Sequence, residues 1–211
     1  MIETLRAAGW PIWPLLLASL IALTIIVERA WSLRRGKVMP RDLLAQVARE
    51  VAQEGPTPAL LRRLSHASML ARLFALSLSN VGGSSRAVKE SLGEAQRLAR
   101  RDLERFLPTL GTIASLAPIM GLFGTVVGMI EIFGAQGGSG MSSNPQQLAH
   151  GISVALYNTA FGLIVAIPSM ISYRYYRAKA ESLAMEIEAQ ALKLVETVNV
   201  RENSGDDPTP A

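Results

Sequence analysis

From Phe106 through Ile130 the chain carries no formal charge, a run of 25 residues within the stretch LPTLGTIASLAPIMGLFGTVVGMIEIF at 107–133. As a helix rising about 1.5 Å per residue, such a run crosses a hydrocarbon core of roughly 30 Å with some tilt. In lipid a lone segment can satisfy its backbone only within its own helix. The run therefore predicts an all-α membrane protein before anything else is read.

Small residues inside the run make it more than an anchor. Ala117, Gly121, Gly124 and Gly128 recur at helical spacing, with Thr125 on an adjoining strip. Lipid tails solvate Leu and Gly alike, so a groove of small residues gains close contact only against another helix. A plain packing seam is one reading of it. A functional seam is the other, favoured by the tight string from Gly121 to Gly128 and by a second span of the same character.

That second span is GISVALYNTAFGLIVAIPSMISY, 23 uncharged residues from Gly151 to Tyr173. Gly151, Ala155, Thr159, Gly162, Ala166 and Ser169 step along it at helical spacing, so one face is nearly all small or hydroxylic. A further uncharged run of 21 residues, Ala7 to Val27, has Trp10 and Trp13 at its start and Trp31 beyond its end, the interfacial address of indole rings. Pro11 and Pro14 fall near its first turn, where a missing N–H costs little. A cleaved signal peptide is the competing reading. The thin positive start, with no small-residue cleavage site before the charged end, favours a retained span in a supporting, lipid-facing role.

Between the first two spans the character becomes charged and amphipathic. Leu44, Val47 and Val51 mark one helix, stopped by Gly55-Pro56-Thr57-Pro58. Leu60, Leu64, Ala67, Ala71, Phe74 and Leu78 mark a second, ended at Gly82-Gly83. Val88, Leu92, Ala95, Ala99, Leu103 and Phe106 mark a third, expected to run into the glycine-rich span without a break. No alternating pattern competes for strands. After the last span Leu183, Ile187, Ala191, Leu194 and Val198 form a heptad-like stripe, and the tail from Glu202, rich in Pro, Asp and Ser, is expected to be disordered.

Charge placement predicts the topology. Near the span ends, Arg29, Arg34, Arg35, Lys37, Arg41, Arg97, Arg100, Arg101, Arg105, Arg174, Arg177 and Lys179 fall on one side, and Arg6 alone on the other. The positive-inside rule then gives seven segments: a periplasmic N-terminus at 1–9, a first transmembrane helix at 10–28, a cytoplasmic helical region at 29–106, and a second transmembrane helix at 107–131. A periplasmic loop at 132–149, a third transmembrane helix at 150–173, and a cytoplasmic helix with its tail at 174–211 complete the chain. The excess of 21 Lys and Arg over 17 Asp and Glu is mostly this bias. Nucleic acid is not indicated, since aromatics are few and no groove-reading motif occurs.

Chemistry elsewhere is sparse. The chain has no cysteine, which excludes disulfides and thiolate metal sites, and His66 and His150 are single and far apart. No Walker motif, nucleophile elbow or paired-acid constellation marks an enzyme, and no cofactor is implied. Pro118 and Pro168 each remove a helical hydrogen bond, freeing the carbonyls of Ala114 and Ile164. Three spans enclose too little for a transport path in one copy, so a ring of copies is the economical way to close the small-residue faces round a central space. Thr125 and Thr159 are the hydroxyls to aim at that space, with Asn158 beside them. Each threonine could instead bond back to a carbonyl one turn earlier.

The strings GLFGTVVGM in the second span and GISVALYNTAFGLIVAIPSM in the third resemble the motifs of the ExbB/TolQ/MotA proton-channel family, in the three-span form of ExbB and TolQ. The resemblance runs from about Pro108 to Tyr173. It implies a pentameric all-helical ring in the bacterial inner membrane, around the helices of an ExbD- or TolR-like single-span partner. That partner's intramembrane aspartate carries the proton, and the flow drives work at the outer membrane through a TonB- or TolA-like protein. Thr125 and Thr159 match the family's second-span and third-span threonines. Val154 departs, standing where relatives commonly carry a glutamate. Glu131, six residues beyond Thr125, lies at similar depth if the helices are antiparallel, and is either a replacement outer-mouth acid or an interfacial carboxylate in water. A non-conducting membrane scaffold is the alternative function.

Overall fold

The structure, a computed structural model, describes residues 10–40, 42–79, 85–137 and 145–205. Among them every regular element is a helix. In chain order these are α1 (Ile12–Ser32), α2 (Arg35–Val38), α3 (Leu43–Glu54), α4 (Pro58–His66), α5 (Met69–Leu78), α6 (Ser85–Leu103), α7 (Leu107–Gly137) and α8 (Pro145–Gly205). Three stretches are long and apolar enough to cross a membrane, Ile12–Ser32, Leu107–Gly134 and Gly151–Thr197. The chain divides into two units, Met1–Arg29 with Phe106–Tyr176, and Ala30–Arg105 with Arg177–Ala211.

The first unit contains the apolar spans. Its core is thin, as a helix set surrounded by lipid requires. Leu15 clusters with Ala117, Val165 and Ala166, backed by Ile113, Met120 and Phe161. Ala22 and Ile25 cluster with Leu110, backed by Ile26, Ile113 and Tyr173. Trp10 meets Phe123 edge-on at 5.9 Å between ring centres. So α1 lies along α7 and α8 as a support, and leaves Leu17, Leu20, Leu23 and Val27 exposed. At its far end Arg29, only 3% exposed, is gripped by both carboxylate oxygens of Glu28 at 2.5 and 2.7 Å, and lies over the Phe106 ring at 5.7 Å.

Phe106 marks the first departure from the sequence reading. Instead of one helix entering the glycine-rich span, α6 stops at Leu103 and α7 starts at Leu107. Phe106 has φ 63°, a left-handed conformation costly for a residue with a Cβ, and its carbonyl accepts the first bond of α7 from the Leu110 N–H at 3.1 Å. The cause is Pro108, which has no N–H to continue the ladder and whose ring clashes with the carbonyl four residues back. Beyond the membrane run α7 extends to Gly137 and α8 begins at Pro145, so both edges of the 132–149 segment are helical.

The second unit is built from short capped helices and the extension of α8. The pattern expected as one helix from Leu60 to Leu78 is two helices. Ser68 accepts from the Ala71 N–H at 3.2 Å and starts α5, leaving Ala67 exposed at the joint. Thr57 caps α4 with Pro58 in its first turn, and Gly55 ends α3 with φ 74°, a value that glycine reaches without strain. Leu60, Leu64, Leu70, Leu73, Phe74 and Leu78 are buried, as are Ala95, Ala99 and Leu103 of α6 and Leu183, Ile187, Ala191 and Leu194 of α8. The described side chains of the predicted stripes are thus buried, apart from Ala67 and the half-buried Leu44 and Val51 of α3, and the unit also buries Leu70, Leu73 and Ala75, which the stripes left out. Phe106 falls outside this unit, and Val88, Leu92, Val198 and the Gly82-Gly83 stop lie outside the described side chains. Helix α8 continues to Gly205, past the point where the tail was expected to lose order.

Two substitutions test this account in opposite directions. Ser68→Ala removes a cap and is expected to lower stability by about 1 kcal/mol. A methyl at Gly93, mid-helix in α6, meets nothing within 4 Å, so Gly93→Ala is expected to raise stability by about 0.5–1 kcal/mol. Denaturant titration of the purified chain in detergent, followed by helicity, reads both.

Candidate functional site

The small faces of the two glycine-rich spans meet within one chain. A methyl on Gly121 would lie 2.7 Å from the Asn158 carbonyl oxygen and 3.1 Å from the Thr159 Cα. One on Gly162 would lie 2.6 Å from the Ala117 carbonyl oxygen and 3.0 Å from the Gly121 Cα. Gly128 faces Ala155 at 3.2 Å and Gly151 faces Ile132 at 2.6 Å by the same measure. The helices therefore touch backbone to backbone, which only glycine allows. Ala117, Gly121, Gly124, Ala155, Gly162 and Ala166 are buried in this seam. Towards the Tyr173 end Gly111 continues it, with the Tyr173 ring 3.1 Å from its methyl position. The sequence reading missed Gly111, although the spacings 111, 114, 121 repeat the stripe.

Hydroxyls in these spans behave in two ways. Thr24, Thr112, Ser115, Ser153 and Ser169 each donate to the carbonyl four residues back. Thr125 and Thr159 instead reach across the seam. The Thr125 Oγ1 lies 3.0 Å from the Ala155 carbonyl oxygen and 2.5 Å from the Thr159 Oγ1, and the Thr159 Oγ1 lies 3.3 Å from the Gly121 carbonyl oxygen. A back-bond from Thr125 to the Gly121 carbonyl, 3.3 Å, competes with these.

Each hydroxyl has one hydrogen, so the bond between the two can run in either direction. In one, Thr159 donates to Thr125 and Thr125 donates to the Ala155 carbonyl. In the other, Thr125 donates to Thr159 and Thr159 donates to the Gly121 carbonyl. Rotating two O–H bonds exchanges them, which reverses the direction of the chain without moving a heavy atom.

The seam has two unlike edges. At about 100° per residue, Ile113, Ala117, Met120 and Gly124 share one edge of α7, and Asn158, Phe161 and Val165 share one edge of α8. Leu15 of α1 packs on this side. Asn158 there is only 1% exposed. Thr125 and Thr159 lie on the opposite edge and are half-buried, opening on the side that α1 leaves uncovered.

Glu131 is exposed and lies on the Gly124 edge, turned about 120° round the helix from Thr125. Val154 lies about 40° from Asn158, so it shares that edge. The pairing of Gly128 with Ala155, and of Ile132 with Gly151, brings Glu131 and Val154 within about one helical turn in depth. Of the predicted site residues, then, the structure brings Thr125, Thr159 and Asn158 together with the glycines and leaves Glu131 a separate group nearer the α7 end. Pro118 and Pro168 are carried inside continuous helices.

Three apolar helices, two of them joined by a glycine seam with a hydroxyl pair on its open edge, define a multi-pass helical membrane protein. Residues 59–189, more than half of the chain, match the MotA/TolQ/ExbB proton channel family. A putative biopolymer transport protein, ExbB-like 3, of Synechocystis is 29% identical over 174 residues, 82% of each chain. Its ExbB-like 1 is 31% identical over 192 residues, 82% of this chain and 69% of the relative. The Tol-Pal system protein TolQ of Pseudomonas aeruginosa is 39% identical over 105 residues, 46% of this chain and 43% of its own. The chain belongs to the MotA/TolQ/ExbB proton channel family, in its ExbB/TolQ branch.

The seam makes a sharp prediction about where a methyl is tolerated. Gly162→Ala strikes backbone that cannot move aside and is expected to weaken the helix pair by about 1–3 kcal/mol. Gly151→Ala meets the Ile132 side chain, Cδ1 at 2.6 Å and Cγ1 at 2.8 Å, and no backbone, so it is expected to cost less than Gly162→Ala. Thermal unfolding in lipid nanodiscs separates the two.

Proposed function

We propose that this chain is the proton-conducting, stator-like subunit of an inner-membrane complex. Several copies, a pentamer by analogy with the family, form a ring. Each copy turns the Thr125–Thr159 edge of its seam towards the central space, and α1 backs the opposite edge. The N-terminus and the 132–149 segment face the periplasm, and 29–106 and the C-terminal extension of α8 lie in the cytoplasm, the arrangement the basic residues favour.

Among the described residues no carboxylate lies on the hydroxyl edge. A titratable group that picks up and releases the proton there comes from a second polypeptide, a single-span ExbD- or TolR-like protein whose acid lies level with the two hydroxyls. Glu131 acts at the outer mouth, on the edge and near the depth where relatives carry an acid at the Val154 position. Flow down the proton motive force drives work on the outer membrane through a TonB- or TolA-like protein. The observation that carries this reading is the cross-helix hydroxyl pair. A scaffold needs only the glycines, and Thr24, Thr112, Ser115, Ser153 and Ser169 satisfy themselves within their own helices.

Thr125→Val and Thr159→Val keep shape and remove the hydroxyl. Each is expected to assemble with normal mass yet lower proton uptake by at least ~10-fold, the scale of losing one positioned proton-transfer group. The measurement is made in right-side-out vesicles carrying the chain with its single-span partner, and Thr125→Ser is expected to retain activity. Full proton uptake in both Val variants would leave the scaffold as the function.

A further inference from the structure

Asn158 stands beside the hydroxyl pair but on the other edge of the seam, and its surroundings are unusual for an amide. It is 1% exposed, within an uncharged span, on the edge where Leu15, Met120 and Phe161 pack. Its Cβ, Cγ and Nδ2 lie 2.9, 3.0 and 3.0 Å from the position a methyl on Gly124 would take. The side chain is therefore laid flat against the bare Cα of Gly124. Removing an amide from water costs about 1–3 kcal/mol on protein scales, so an apolar side chain would sit here more cheaply if filling space were the only task.

Two properties set Asn apart from such a filler. Its amide is planar, so it fits a gap one group thick, whereas the tetrahedral branch of Leu, of similar size, cannot lie flat on Gly124. It is also polar, so its burial carries a cost that an apolar filler would not. A lone buried Asn fixes register in paired soluble helices by the same penalty.

We infer that Asn158 is a positioning residue: its amide, wedged on Gly124, holds the register in which Thr125 and Thr159 meet. It acts from the far edge, through the two helices, and touches no proton itself. The consequence for conduction rests on the reading given above, while the register does not.

The chain has no cysteine, so a register probe can be introduced without background. Gly128→Cys with Ala155→Cys places two Cβ atoms about 3.2 Å apart, close enough to the usual 3.5–4.5 Å of a disulfide to bridge after a small shift. In the full-length chain in lipid, Asn158→Leu and Gly124→Ala are each expected to slow oxidation of this pair at least tenfold without loss of helicity. Gly124→Ala combined with Asn158→Ala moves the bulk from one helix to the other and is expected to recover most of the rate. Asn158→Asp supplies a readout that packing alone would not move. Its carboxyl has the amide's shape while neutral and differs from it by a full charge once ionised. Cross-linking, normalised to the wild-type background at each pH, is then expected to match wild type at low pH and to fall as the carboxylate forms. Wild-type rates in both Asn158→Leu and Gly124→Ala, with no added pH dependence in Asn158→Asp, would overturn the inference. Proton uptake that survives Thr125→Val and Thr159→Val, with the cross-linking pattern as expected, would count against the conduction reading and leave the register assignment standing.

Discussion

Everything in the first unit depends on how near two helical backbones can come in a medium that does not push them together. Lipid is as apolar as the side chains it surrounds, so the pair is held by close contact and by the few polar bonds that contact permits. At Gly121 and Gly162 the gap is so small that a single methyl on either would overlap a carbonyl of the other helix. The Thr125–Thr159 bond exists only because of that approach. Two threonine side chains reach 2.5 Å across a seam when the backbones behind them are bare.

The same closeness gives the pair its two sides. Helix α1 covers the Gly124–Asn158 edge at mid-span with Leu15, which packs on Ala117 and Val165 and makes that stretch apolar. Among the described residues the hydroxyl edge has no such cover. A polar edge left open at mid-span is costly against lipid and natural against other copies or water. The geometry of one subunit thus points outward to an assembly, and the family to which the chain belongs supplies a role for one.

The spans were legible because uncharged runs of this length have one physical use, and the seam stripes because helical spacing leaves few alternatives. That the two stripes meet each other within one chain was not legible. A glycine groove describes its own surface and says nothing of which helix fills it, and the ring argument was satisfied equally by contacts between copies. Two local signals were overlooked. Pro108 ends the approach from α6, and Ser68 divides Leu60–Leu78 into two helices, both by rules that concern one hydrogen bond each. Asn158 could be named from the sequence but not placed, since its meaning depends on lying against Gly124 from a helix 34 residues further along the chain. Glu131 showed the opposite limit. Its depth could be estimated from rise alone, but its angle places it away from Thr125 and on the edge shared by Val154.

The most direct test of the account is water at the hydroxyl edge. Single cysteines placed at Thr125 and at Thr159 in this cysteine-free chain react with a charged thiosulfonate only as thiolates, which form in water and not in lipid. Compared with single cysteines at the exposed apolar positions Ile119 and Ile164 in the assembled complex, both are expected to be labelled at least tenfold faster. Labelling no faster than at Ile119 and Ile164 would put the two hydroxyls against acyl chains and contradict the account.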